Sequence, residues 1–304
     1  TKEDKQGIDI IIKPGTKNES VHIPVLLTQT GLQDLVYNDF YVGGMFKMWG
    51  EMQSETREKC AMIVSPYNHG DEYFENGIAF ENATITDLLG KDFRIKWFDS
   101  ILKNEKPFVE LGKVTYYRTF EDKWETDFYS GATEDIKVSL GTAERSIIYN
   151  PENPTAFVTE GHFMEPAAGR DDIITIYTSP FEKDMFIKGR MRAELTVSSD
   201  CDDTSFYIMV GIETESGDYS LRHDITSIIY QKGSYECNNK IKLDFTFDEY
   251  AFMLKQGQRL RIDIAPTDAN TYVCHTNIKG EYAKISTCKT AKNNVFLGES
   301  QLIL

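Results

Sequence analysis

The chain has 304 residues, 40 % hydrophobic and 12 % aromatic, enough to bury a sizeable core and too apolar for a disordered polymer. A formal net charge of −15 and a pI near 4.8 disfavour nucleic acid and anionic membranes as partners. No apolar run reaches the roughly 18 residues of a membrane span, and five cysteines without a C-x-x-C pair argue against a disulfide scaffold or a zinc ribbon.

The opening TKEDKQG has no signal-peptide pattern and no initiator methionine, so a processed, trimmed or partial chain is expected. Residues 1–20 are polar apart from IDIII at 8–12 and read as the tail of something larger. IPVLLTQTGLQD, 23–34, runs strand, turn, then Asp34. In 38–53, Phe40, Met45, Met48 and Trp49 partly follow helical spacing, with Asn38 or Asp39 as a cap and Gly43-Gly44 as a weakness. Cys60 to Val64 is an unbroken apolar run, as in a strand covered on both faces. Ser65, Pro66, Tyr67 and Asn68 end it with turn chemistry, and His69 follows. After an irregular acidic stretch at 71–91, FRIKWFDSILKN places Phe93, Ile95, Trp97, Phe98, Ile101 and Leu102 largely on one helical face, with Trp97 and Phe98 as core residues. Residues 23–104 therefore read β-α-β-loop-α, a parallel-sheet pattern.

Beyond about 110 the pattern changes to short alternating strands, at 114–120, 172–179, 192–200, 204–214, 241–247 and 259–266. A β-sandwich or jelly roll is expected, with 121–171 as a loop-rich wrap. The expected division is 1–110 and 111–304. Leu195, Val197, Tyr207, Met209, Leu260 and Ile262 should face inward at alternating positions.

Asp34 and His69 stand just past the carboxyl ends of two consecutive strands, the edge where open α/β sheets keep their sites. Acid before imidazole is the order of the last two members of an α/β-hydrolase triad. The imidazole would take a proton from a nucleophilic hydroxyl while the carboxylate fixes its tautomer. No G-x-S-x-G elbow occurs, nor an H-E-x-x-H zinc motif, a phosphate loop or a dinucleotide fingerprint. No metal or cofactor is expected. Asp200, Asp202 and Asp203 read as a solvated turn rather than a calcium loop, Cys274-His275 as a weak metal signal, and Cys60 as a small apolar filler. Asp39 is a rival acid better suited to a helix cap, and His22, His162 and His223 have no convincing partners in sequence.

Several motifs together resemble the cocaine esterase and X-prolyl dipeptidyl-peptidase family. Gly31, Leu32, Gln33 and Asp34 resemble its Gly-Trp-Tyr-Asp turn; SPYNHG, with Pro66 and His69, resembles its Gly-Pro-Trp-Ser-His turn; Trp97, Phe98 and Asp99 resemble its Trp-Phe-Asp helix. The likeness continues through TSPFEKDMFIKGRMRAELTVSSDCDDTSF, LKQGQRLRIDIAP and NNVFLGESQLIL, and so covers nearly all of 23–304. The resemblance implies the carboxyl-terminal part of an α/β-hydrolase domain, with residues 1–20 the end of a cap, followed by a jelly roll. Asp34 and His69 would be triad members and the serine would lie upstream. Leu32, Gln33, Ser65 and Tyr67 depart from the family pattern, so the substrate, an ester or an X-Pro peptide, does not follow.

The partners expected are that small substrate and the missing amino-terminal hydrolase portion, with a homo-oligomer left open. No feature identifies the compartment; the cytoplasm is slightly favoured. The chain alone should be inactive. The alternative is a noncatalytic jelly-roll module that binds carbohydrate or a partner.

Overall fold

The structure is a computed structural model that describes residues 22–29, 41–67, 80–129, 134–160, 163–165, 170–280 and 285–304. Asp34, Asp39, His69 and His162, and the proposed cap remnant at 1–20, lie outside the described residues. The fold is a partial α/β layer followed by a β-sandwich, and the described residues form two compact units, 22–129 and 134–304.

In the first unit, strand β1 (Leu26–Gln29), helix α1 (Tyr41–Glu51) and strand β2 (Ala61–Val64) are followed by α2 (Ile85–Leu89), α3 (Phe93–Leu102), β3 (Val114–Arg118) and β4 (Lys123–Asp127). The sheet runs β1-β2-β3-β4; β1, β2 and β3 are parallel and β4 returns antiparallel. Parallel neighbours need crossovers long enough for a helix, and α1 and the α2–α3 pair occupy the two crossovers. Helix α1 tolerates Gly43 and Gly44 because Val42, Phe46 and Trp49, one helical stripe, are all buried. Thr84 and Asp87 form a reciprocal capping box at the start of α2, with Asp87 N–H to Thr84 Oγ1 at 3.0 Å and Thr84 N–H to Asp87 Oδ2 at 3.2 Å.

All four residues of β2 are buried, as the apolar run requires. On one face Ile63 packs with Ile85 and Phe93, flanked by Leu26, Leu88, Leu89 and Trp124. Ring contacts from Phe46 of α1 to Tyr129 and from Tyr129 to Tyr116 mark the other face.

Two expectations are corrected in this unit. The boundary near 110 falls inside it, because 114–118 is a parallel strand hydrogen-bonded to β2 and not the first strand of the sandwich. Val114, Thr115, Tyr116 and Tyr117 are consecutively buried, since β3 has β2 on one side, β4 on the other and side chains packed on both faces. Helix α3 does not present one apolar face. Phe93 and Trp97 are buried, whereas Ile95, Phe98 and Leu102 are 65 %, 61 % and 79 % exposed. At 100° per residue the second group projects about half a turn from the first.

The second unit holds β5 (Lys137–Ser139), β6 (Glu144–Tyr149), β7 (Val158–Glu160), β8 (Phe163–Glu165), β9 (Ile174–Tyr177), β10 (Met185–Gly189), β11 (Arg192–Ser199), β12 (Ser205–Thr214) and β13 (Gly217–Ser227). The short helix α4 (Ile228–Lys232), β14 (Ile241–Thr246), β15 (Tyr250–Leu254), β16 (Leu260–Ala265), β17 (Ala291–Phe296) and β18 (Gln301–Ile303) complete it. Among the described residues one antiparallel sheet runs β5-β18-β11-β17-β6 with β14 also on β11; a second runs β7-β8-β13-β12-β16-β9; β10 and β15 form a ribbon.

The six residues expected inside are all buried. The expected alternation holds less well. Ser205 to Ile212 and Leu260 to Ala265 are buried without a break, so these central strands are covered on both faces. The region 121–171, expected as loop, contributes the short strands β4 to β8.

Candidate active site

The parallel register of β1 and β2 pairs Gln29 with Val64, so the two strands end level with each other. The ladder continues one residue further, where the Ser65 N–H donates to the Gln29 carbonyl at 2.9 Å. Gln29, Ser65 and Tyr67 are buried at this edge. Asp34 lies five residues beyond Gln29 and His69 five beyond Val64. The structure thus describes the two strand ends that launch these segments, and the two side chains themselves lie outside the described residues.

The Tyr67 hydroxyl donates to the Phe80 carbonyl at 2.6 Å and accepts from the Phe80 N–H at 3.0 Å. Tyr67 is one of the departures from the family pattern, and its hydroxyl gives it a definite task here. Two more aromatic donors follow on the next two carbonyls: Tyr117 Oη to Glu81 at 2.7 Å and Trp124 Nε1 to Asn82 at 2.8 Å. Burial holds the Tyr117 hydroxyl far above its ordinary range, with the nearby Asp122 carboxylate adding to the effect, so it stays a donor. At the same edge Arg118 is held between Glu121 and Glu125.

The sandwich holds polar groups that sequence reasoning passed over. Asp203 is fully buried and accepts from the Thr204 N–H at 2.9 Å and the Ile229 N–H at 3.0 Å through Oδ1. His275 Nε2 lies 3.2 Å from Asp203 Oδ2, and the Asn277 N–H donates to His275 Nδ1 at 2.9 Å. The second bond leaves Nδ1 unprotonated, so Nε2 carries the hydrogen and donates to Asp203. This is a carboxylate–imidazole pair, but both ring nitrogens are engaged, and neither is available as a base toward a nucleophile. The Cys274-His275 signal gains no support as a metal site: among the described residues no group of three His, Cys, Asp or Glu could hold an ion. The solvated-turn reading of 200–203 is corrected at Asp203. A D-D-T run gives no sign in sequence that one of its carboxylates caps a distant helix and meets a histidine far along the chain. Cys60 is buried, as an apolar filler should be, and burial raises its thiol.

His223 sits among Tyr207 and Tyr272, with Tyr272 Oη 3.3 Å from its Nδ1. Burial first, and Arg222 second, push its imidazole down to about 4. Its unfolded value is about 6.5, so the unfolded chain binds the proton more tightly. The neutral ring's contribution is fully present above pH 6.5 and is lost as pH falls toward 4. Urea midpoints between pH 7 and 4 should fall less in His223→Phe than in the parent chain; equal pH slopes would contradict this assignment.

No family model matches this chain, and no curated protein matches it. Solved structures do. An aminopeptidase from the marine sediment archaeon Thaumarchaeota archaeon aligns with TM-score 0.73 at 14 % identity, covering 92 % of this chain and 54 % of that one. An α-amino acid ester hydrolase aligns with TM-score 0.74 at 17 % identity, covering 92 % and 55 %. A CocE/NonD family hydrolase from Staphylococcus aureus aligns with TM-score 0.59 at 13 % identity, covering 93 % and 54 %. At these identities the likeness is one of fold, and it agrees with the fold that the motif resemblance implies. The chain spans about half the length of the structures it matches. Among the described residues no helix is long and apolar enough to cross a membrane.

Proposed function

We infer that this chain is part of a serine hydrolase in which Asp34 and His69 are the acid and the base of a Ser–Asp–His triad. The serine is supplied by polypeptide outside these 304 residues. The observation that carries the reading is the level, parallel pairing of β1 and β2. Adjacent strands lie about 4.8 Å apart. Five residues reach at most about 18 Å. Both side chains therefore have overlapping reach from neighbouring starting points on the carboxyl edge, where such sheets keep their chemistry. The fold likeness to an aminopeptidase, an amino acid ester hydrolase and a CocE/NonD family hydrolase supports the same reaction class. The substrate class proposed is an ester or an X-Pro peptide.

In this reading His69 takes the serine proton as the acyl carbon is attacked and returns it to the leaving group. Asp34 holds the imidazole tautomer and stabilises its cation. The oxyanion donors come in part from the residue after the serine and so also lie outside this chain. The purified 304-residue chain should therefore show no turnover of p-nitrophenyl acetate above that of its His69→Ala variant, while the whole protein turns over. Turnover by the short chain that vanishes with His69→Ala would require a nucleophile within these residues. A whole protein without hydrolase activity would put the sandwich forward as a noncatalytic binding module.

A further inference from the structure

Tyr149, at the end of β6, is fully buried, and two later segments of the chain run along it. At its backbone end stand Asn277, whose Nδ2 donates to the Tyr149 carbonyl at 3.4 Å, and Ala291, its partner in β17. At its hydroxyl end stand Cys274 and Cys288. Burial above all, then the Cys274 thiol and, less strongly, the Cys288 thiol, push the phenol up. Each cysteine lies three residues before the residue that meets the Tyr149 backbone. Segments 274–277 and 288–291 therefore run side by side in the same direction, with both cysteines at the same end. They are also tied to each other: the Lys289 N–H donates to the Thr276 carbonyl at 2.9 Å, and Asn277 Nδ2 donates to the Lys289 carbonyl at 2.7 Å. Chains hydrogen-bonded in this way stand about 5 Å apart, within the roughly 4.4–6.8 Å between Cα atoms that a disulfide spans.

Both thiols are free and half-buried, so a small reagent reaches them. The neighbouring Cys201 differs. It is buried, its Sγ donates to the Thr290 carbonyl at 3.7 Å, and burial, with Asp200 adding to it, pushes its thiol up to about 11. It therefore stays protonated and unreactive. We propose that Cys274 and Cys288 are a redox pair that closes to a disulfide in exchange with a low-molecular-weight disulfide such as oxidised glutathione. The thiolate of one cysteine attacks a glutathione sulfur and expels one glutathione thiolate. The thiolate of the other then attacks the protein sulfur of that mixed disulfide and expels the second. Two protein thiols lose two protons and two electrons, and one glutathione disulfide is reduced to two thiols. Closure fastens 274–277 to the chain entering β17. That segment carries His275, which meets Asp203, and Asn277, which meets the Thr204 hydroxyl, so the cross-link braces the buried polar network of the sandwich. It also removes freedom from the unfolded chain across 274–288.

The test uses the Cys237→Ser form of the 304-residue chain, in which the exposed thiol is gone. The folded protein is incubated with oxidised glutathione in mildly alkaline buffer and followed by intact mass and peptide mapping. The expected product has lost the mass of two hydrogens, carries one cross-link between the peptides of Cys274 and Cys288, and melts about 5 °C higher. Dithiothreitol should reverse all three changes. Cys274→Ser and Cys288→Ser, each made in the same background, should stop at a single glutathione adduct and show no rise in melting temperature; either one suffices if the other does not fold. Glutathione on both cysteines without closure, a cross-link through Cys60 or Cys201, or no reaction at all would overturn the pairing. Closure that leaves the melting temperature unmoved would overturn the bracing.

Discussion

In the whole protein, His69→Ala is expected to lower kcat for an ester or X-Pro substrate by roughly a thousandfold or more, and Asp34→Asn by a similar amount. KM should change little. In the proposed triad the imidazole acts on a proton in flight, not on bound substrate. Without it the serine hydroxyl must attack while still protonated. Asp34→Asn keeps the shape and removes the charge. An amide can also hold the ring in the wrong tautomer, with its hydrogen directed at the serine. Steady-state kinetics on the two variants separate the cases. A loss confined to KM would assign both residues to substrate binding. An unchanged kcat in both would remove the triad reading and leave the sandwich as the functional part.

How much of this was legible in the sequence depends on what each residue's neighbours are. The β2 strand was legible because a strand covered on both faces must be apolar throughout, and Cys60 to Val64 is. Strand β3 was misassigned by the same logic in reverse. Val114 to Tyr117 is just as buried, but its threonine and tyrosines carry hydroxyls that find partners in Thr126, Asp127 and Glu81, so the run reads as half-polar. The α3 stripe looked single because six apolar residues in ten fill a helical wheel almost anywhere, and periodicity alone does not say which part meets the sheet. Asp34 and His69 are proposed from order and spacing alone, each five residues past the end of a described strand. The Tyr67–Phe80 link was not legible, since its acceptor and donor are backbone groups, which leave no trace in the side-chain sequence.

The second large effect lies in the sandwich. Asp203→Asn should destabilise it by about 2–4 kcal/mol, because it leaves one or two buried donors without an acceptor at about 1–3 kcal/mol each. The carboxylate serves four donors with two oxygens: the Thr204 and Ile229 N–H groups, Ser227 Oγ at 3.4 Å, and His275 Nε2. An asparagine supplies one oxygen and turns an NH2 toward either two backbone N–H groups or the Nε2–H of His275. Every placement sets donor against donor in a site closed to water. The Thr204 hydroxyl also bonds Asn277 Oδ1 at 2.8 Å and receives Asn293 Nδ2 at 3.1 Å, so the disturbance reaches β17. Removing His275 as well should cost less than the sum of the two single changes, because the clash disappears with the ring. Thermal and urea melts followed by far-ultraviolet circular dichroism read this directly. A loss below about 1 kcal/mol for Asp203→Asn is what an exposed turn carboxylate would give, and it would show that the network bears no weight in the fold.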